Sequence, residues 1–506
     1  MPINYIPNDP LAVQFVPMRS DAPLPNRPAS RAGFAFSGAV AAGKFPPGTP
    51  QFLFWQCRQA ALTAIGVWEE LSGALTRWVA NTKQLDLIQD GGEDLNAFYD
   101  RSSLAFFHHK NGTKTTFSGA STDVVAHEAG HAFLDVLRPE LFSSNVTEHG
   151  AFHEAFGDCI AILVALFDRP TRQKLLQMSP NLSTANFVEG TAEDLSDGVR
   201  RELGVSHPAA LPRRALNKFQ FVLPTTLPTF GPPNVLTSEI HSFGRIFSGC
   251  FYDVIRNLFN APGVAKTEAN LLRAARTAGE LLVLGAKQAP LSVRFFQAVG
   301  RAMVLADGVR NGGANRDAIG RAFAAHGVQL GSASLLQPKA SLAGKAPSLL
   351  AHAARVSGAT AKDLRSRLNA ARGSKLAVVP ITLGAIRAAE VVHQRAVPLG
   401  NVSSTLKGVV AMAHEAVVVG ASGGVAALLS ALPDQTTTEE EVTKFVETLL
   451  AHGRIELGKA SKHKASAITD GASKKSKAPA PVPTHRVVKR GGKKVLERIR
   501  YTCGCW

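Results

Sequence analysis

Cysteine is scarce in this chain, with five in 506 residues. Cys57, Cys159 and Cys250 each stand alone within apolar runs, and Cys503 and Cys505 flank a single glycine. That pattern is not a disulfide framework. The three isolated cysteines suit small buried core positions, and the terminal Cys-Gly-Cys-Trp suits an exposed tail. The first fifteen residues lack both the basic stretch and the apolar stretch of a signal peptide. A cytoplasmic location or export by a non-classical route is therefore expected. The longest uncharged stretch of note, Ala416 to Pro433, is short and broken by Gly420, Gly423 and Gly424. A bilayer wants about 20 strongly apolar residues, so no transmembrane segment is expected. No internal repeat of fixed period is present.

What is there exceeds one hydrophobic core. Cores stop growing beyond roughly 250–300 residues, so two or three domains are expected. The formal charge is +17, but it is unevenly spread. Arg454 to Arg500 holds 14 Lys and Arg against three acidic residues. The charge thus belongs mainly to a Lys-, Ser-, Ala- and Pro-rich tail over 456–506, which reads as disordered. Such a tail suits an anionic partner, although it lacks interleaved aromatics. Residues 1–48, rich in proline, read as a lead-in arm. Residues 335–455 read as an accessory domain without recognisable chemistry.

Between these lies a segment, 49–330, that mixes both periodicities. Pro50 to about Val79 has helical spacing. Leu85 to Phe117 breaks into short strands separated by Gly-Gly and Asn-Gly turns. Helical patterns return at Asp123–Leu137, Gly150–Phe167, His241–Phe259 and in three further segments up to His326. The fold class expected is α+β.

The chemistry centres on His127-Glu128-Ala129-Gly130-His131. Positions i and i+4 share a helix face. Two imidazoles so placed can reach one zinc ion, with Glu128 beside them to act on its water. Gly130 costs such a helix about 1 kcal/mol relative to alanine, which stability alone would not favour. A third histidine of the His-x-x-Gly-x-x-His kind is missing, since Ala-Phe-Leu-Asp follows His131. Downstream, Glu154 and Asp158 lie four apart on an otherwise apolar helix. A lone carboxylate there needs a partner. A zinc ion supplies one for Glu154, and a histidine ring N–H supplies one for Asp158. Glu148, His149 and His153 are rival ligands.

These residues give the chain a family resemblance over about 50–330. Asp123 to Glu128 and Gly150 to Asp158 resemble the two zinc-binding helices of the thermolysin-like gluzincin peptidases. The fold implied is the thermolysin-like catalytic domain, with a β-rich N-terminal lobe and a helical C-terminal lobe. Asn96-Ala97-Phe98-Tyr99 is similar to that family's edge strand, where the asparagine side chain and alanine carbonyl hold an extended peptide substrate. Ile240 to Gly244 resembles the segment bearing the family's catalytic histidine, here His241. Ala318 to Val328 is similar to its closing helix. The resemblance implies a zinc metalloendopeptidase with His127, His131 and Glu154 on the metal and Glu128 as general base. It also implies an arginine on the substrate carbonyl, for which Arg200 is the choice and Arg201 and Arg213 the rivals. Val124 is implied in the pocket for the residue after the cut.

The sequence departs from the family in places. Ala165 stands where an acidic calcium ligand is expected and Asp123 is isolated in sequence, which argues against the double calcium site. The oxyanion-assisting tyrosine is replaced near Asn145. The aspartate behind the catalytic histidine has no match at Leu236, with Glu239 as the stand-in. These departures keep open a peptidase-shaped binding or effector protein with little turnover.

Overall fold

The computed structural model describes residues 1–24, 28–331, 362, 364–366, 368, 370–383, 386–420, 436–457 and 481–504. The fold is α+β. Its first long helix, Pro50–Ser72, begins with Pro50 behind a Thr49 cap whose hydroxyl accepts from Phe52 N. It stops short of the expected Val79 because Gly73 takes φ 88°, a conformation that ends helices and suits glycine.

A mixed sheet of five strands lies beside this helix. Its spatial order is Tyr501–Thr502, Ala97–Tyr99, Ser103–Phe106, Gln84–Ile88, Gly33–Phe36. The last three run parallel, and the first two join antiparallel. Residues 1–24 are not a loose arm. Ile3, Tyr5 and Ile6 are buried. The Gln56 side chain donates to Ile6 O and accepts from Ile6 N, at 3.0 and 2.8 Å. Phe34, from the same lead-in, sits in the core.

The core is formed by buried helices. Thr122–Leu137, Thr147–Phe167 and Ile240–Phe259 pack in succession, backed by Glu268–Gln288 and Phe295–Arg310. Thr147–Phe167 is buried along almost its whole length. Among the described residues it is the one helix long and apolar enough to cross a membrane, and here its surface is taken up by neighbouring helices. The contact with Thr122–Leu137 is close because both helices carry glycine at the crossing. A Cβ on Gly130 would fall 2.8 Å from Gly157 Cα. That explains a glycine which helix propensity alone disfavours.

The region beyond 370 forms a second, six-stranded sheet. Its order is Leu376–Leu383, Ile386–Pro398, Val409–Gly420, Lys493–Arg498, His485–Arg490, Ile455–Glu456. Helix Thr438–Ala451, opened by a Thr437/Glu440 capping box, packs on it. Two of these strands come from the stretch whose composition reads as a disordered basic tail. Val495 and Leu496 are buried there while the lysines face out. Composition averaged over the stretch hides this adjacent apolar pair. Residues 458–480, the rest of the low-complexity stretch, and 421–435, most of the uncharged run after Ala416, lie outside the described residues. The second sheet is docked on the helices by buried polar contacts. Arg294 bridges Glu148, at 2.9 Å, and Glu441. Leu291 N donates to Glu390 at 2.6 Å, and Asn145 Nδ2 to Met412 O at 3.1 Å.

Candidate metal centre and substrate edge

The i, i+4 spacing puts the rings of His127 and His131 on one side of their helix, with centroids 4.7 Å apart. Glu154 faces them from Thr147–Phe167. Its Oε2 lies 3.3 Å from His127 Nε2, 3.7 Å from His131 Nε2 and 3.2 Å from His241 Nε2. Every one of these side chains is buried. His127, Glu128 and His131 also form a compact group of potential ligand atoms.

The satisfaction of these atoms is uneven in an informative way. His127 Nε2, His131 Nε2 and both oxygens of Glu128 and of Glu154 have no hydrogen-bond partner despite burial. Leaving so many polar atoms orphaned in one place would cost about 1–3 kcal/mol each. Two imidazole nitrogens and a carboxylate with an open remaining position are the donor set of a catalytic zinc site. The far ring atoms, by contrast, are engaged. His127 Nδ1 lies 3.0 Å from Asp158 Oδ1. His131 Nδ1 lies 2.9 Å from His153 Nδ1. Burial holds both His131 and His153 well below the usual imidazole range, so both are neutral. With His131 Nδ1–H donating to His153, the lone pair of His131 Nε2 is left for a metal. His153 thus lies in hydrogen-bond contact with His131, a contact the sequence pattern did not reveal.

Burial pushes the Glu128 carboxyl up to about 8, with His127 opposing and Glu154 adding to the shift. Burial alone would raise Asp158 as well, but Arg213 and His127 overcome it and hold that carboxyl at about 2.

The arginine at this site is Arg213 and not Arg200. Arg200 is half exposed and pairs with Asp197 one turn back on its own helix. Arg213 comes from a short strand paired with Gly190–Thr191. Its Nη2 donates to Asp158 Oδ1 at 3.0 Å, and it reaches the Cys503 carbonyl at 3.4 Å. The sequence put Arg200 ahead of Arg201 and Arg213 only because it follows an apolar residue, and that local signal does not locate the site. Only the long-range pairing with Asp158 does.

His241 sits at the first turn of Ile240–Phe259. Its Nδ1 lies 2.7 Å from Glu239 Oε1. The other oxygen of Glu239 accepts from the backbone N–H groups of His241 and Ser242. One carboxylate therefore caps the helix and fixes the ring. His241 Nε2 donates to Thr502 O at 2.7 Å. Asn96 and Ala97 line the adjoining sheet edge. Cys503 N donates to Ala97 O at 2.8 Å, and Gly504 N to Asn96 Oδ1 at 3.0 Å. Cys503 is buried rather than part of an exposed tail; Cys505 and Trp506 lie outside the described residues. Asn145, at the position of the replaced tyrosine, is turned to backbone carbonyls.

Asp123 is not isolated. Ser121 Oγ bridges it to Asp9, and Asp9 accepts from Asp194 N at 3.1 Å. Asp123 itself accepts from Val124 N at 2.7 Å and Ala192 N at 2.9 Å. Residues 9 and 194 are too far away in sequence for their meeting with Asp123 to be read from it.

Residues 100–332 match the model of the fungalysin metallopeptidase family (M36). No curated protein matches the chain. The matched segment contains His127, Glu128, His131, Glu154, Asp158, Arg213 and His241, and it starts just after the Asn96–Ala97 edge.

Proposed function

With residues 100–332 identified as a metallopeptidase domain of the fungalysin family, thermolysin-like zinc hydrolases of the gluzincin class, we propose that the chain is an endopeptidase. In this reading Glu128 is the general base and His241 steadies the reacting carbonyl. The observation that carries the reading is the convergence of orphaned donors from His127, His131 and Glu154, with Glu128 beside them. His127, His131 and Glu154 hold the metal. Zinc, when bound, supplies Lewis acidity that makes water a nucleophile near neutral pH.

The remaining work falls to the chain's own groups. Glu128, buried beside the ligand atoms, takes a proton from the attacking water and delivers it to the departing amine. His241 Nε2 donates to the substrate carbonyl as negative charge develops on its oxygen. Glu239 holds that ring in orientation. Asn96 and Ala97 align an extended peptide by strand addition. Arg213 binds the carbonyl of the residue after the cut while steadying Asp158, which in turn orients His127. The substrate is accordingly a peptide in extended form.

The test is metal content measured together with chelator-sensitive cleavage of a dye-quenched peptide. Glu128→Gln should keep zinc and lose cleavage. Glu154→Ala should lose zinc. Full cleavage by Glu128→Gln would defeat the mechanism, and unchanged zinc in Glu154→Ala would move the third ligand elsewhere.

A further inference from the structure

The strand that lies on the substrate edge belongs to the chain itself. Tyr501 and Thr502 pair antiparallel with Tyr99 and Phe98. Past this pair, the backbone continues along the same edge through Cys503 N to Ala97 O and Gly504 N to Asn96 Oδ1. His241 Nε2 holds the Thr502 carbonyl and Arg213 the Cys503 carbonyl. Arg454, from the accessory region, donates to Gly504 O at 2.9 Å. The Tyr501 ring stacks on His131 and His153, with centroids 4.7 and 4.1 Å away, and the Arg498 guanidinium lies over it at 4.0 Å. All four residues are buried.

We infer that residues 501–504 are a tethered peptide ligand, seated on the substrate edge in the register of a substrate, that closes the channel to other peptides until the segment is displaced or removed. This rests on the endopeptidase reading of the same site. Every group which that reading assigns to substrate recognition is occupied by this segment: Asn96, Ala97, Arg213 and His241. The carbonyl on His241 is that of Thr502, so the Thr502–Cys503 bond takes the place of the bond to be cut. A sheet edge offers one set of backbone donors and acceptors, so a second strand cannot share it. A short tether also gives the segment an effective concentration on the order of millimolar. An untethered peptide of similar intrinsic affinity must reach about that concentration to displace half of the segment. The hold runs through the backbone and the Tyr501 ring. The Cys503 sulfur contacts Arg213, at 3.6 and 3.7 Å.

The test compares the full-length chain with a form ending at Ile499 and with two full-length variants, Gly504→Pro and Cys503→Ser. Gly504→Pro removes the donor to Asn96 at unchanged chain length, and so serves if the shortened form fails to fold. A fluorescent peptide with the sequence of residues 499–504 is titrated into each protein on a metal-free Glu128→Gln background. Cleavage of a dye-quenched peptide is followed in the zinc-loaded parents. The shortened form should bind the peptide at least about tenfold more tightly than the full-length chain, and cleave at least about tenfold faster. Gly504→Pro should shift both readouts in the same direction, and Cys503→Ser should match the full-length chain. Equal peptide binding by full-length, shortened and Gly504→Pro proteins would overturn the inference. So would a Cys503→Ser variant as open as the shortened form, since the thiol would then be the block. If the shortened form gains binding while no zinc-loaded form cleaves, the occupied channel stands and the endopeptidase reading falls. If all forms cleave and bind alike, the reverse holds.

Discussion

A Cβ atom on Gly157 would lie 2.6 Å from His127 Nδ1, inside the imidazole that faces the metal centre. Two helices meet here so closely that the ring of one rests on the bare backbone of the other. Gly157→Ala should therefore push His127 off its position. Overpacking of this kind costs about 1–3 kcal/mol. We expect a lower urea midpoint and a loss of stoichiometric zinc, read by denaturation and metal analysis. A variant with wild-type zinc and midpoint would show that the crossing is looser than the structure describes.

Asp158 is the shared anchor of His127 and Arg213. Asp158→Asn keeps the shape but removes the charge that both neighbours use. Partners that orient a metal-bound histidine typically contribute 10–100-fold in affinity. Zinc affinity should drop by about that factor, measured by competition with a chromophoric chelator. Arg213→Lys should leave zinc affinity closer to wild type but raise KM, because a lysine cannot make the paired contact to Asp158 and still reach the substrate carbonyl.

Glu239 acts through His241. Glu239→Gln should lower kcat by about 10-fold or more at unchanged zinc content, with the larger effect on kcat than on KM. The measurement belongs in the form ending at Ile499, where the channel is open. A variant affected only in KM would place His241 in ground-state binding instead.

The acidic group around Asp123 makes stability depend on pH. Burial, then the Asp123 carboxylate, push Glu193 up to about 7 from an ordinary 4.5. Burial, Asp123 and Asp194 raise Asp9 as well. A raised carboxyl binds its proton more tightly in the folded state. The stability tied to it is complete below about pH 4.5 and is lost as pH rises through 7. In chelator-containing buffer the urea midpoint should fall between pH 5 and pH 8. Glu193→Gln should flatten that fall, with a gain of roughly 1 kcal/mol at pH 8. A midpoint that rises over this range would contradict the sign.

Much of this protein was legible in local spacing. A repeat of four residues sets which side chains share a helix face, so His127 with His131, and Glu154 with Asp158, could be paired from sequence alone. Most of the helical and strand-like segments between 50 and 326 were equally plain, because each period repeats within one element, but the helices Arg169–Met178 and Glu193–Leu203 were not read. Other features could not be read this way. Arg213 became distinguishable from Arg200 only through Asp158, 55 positions away. Asp9, Asp123 and Asp194 meet from three separate elements.

The C-terminal stretch is the sharpest case. Its lysines and prolines set an average composition that reads as a solvated tail, and the sequence by itself determined no more than that charge and the short Val-Val and Val-Leu pairs within it. The tertiary structure decided where those pairs go, into a sheet shared with Val409–Gly420, and which edge the last residues complete. Strand addition is made by backbone N–H and C=O groups, which every residue carries alike. No side-chain pattern announces it, and only the folded chain brings residue 503 to residue 97.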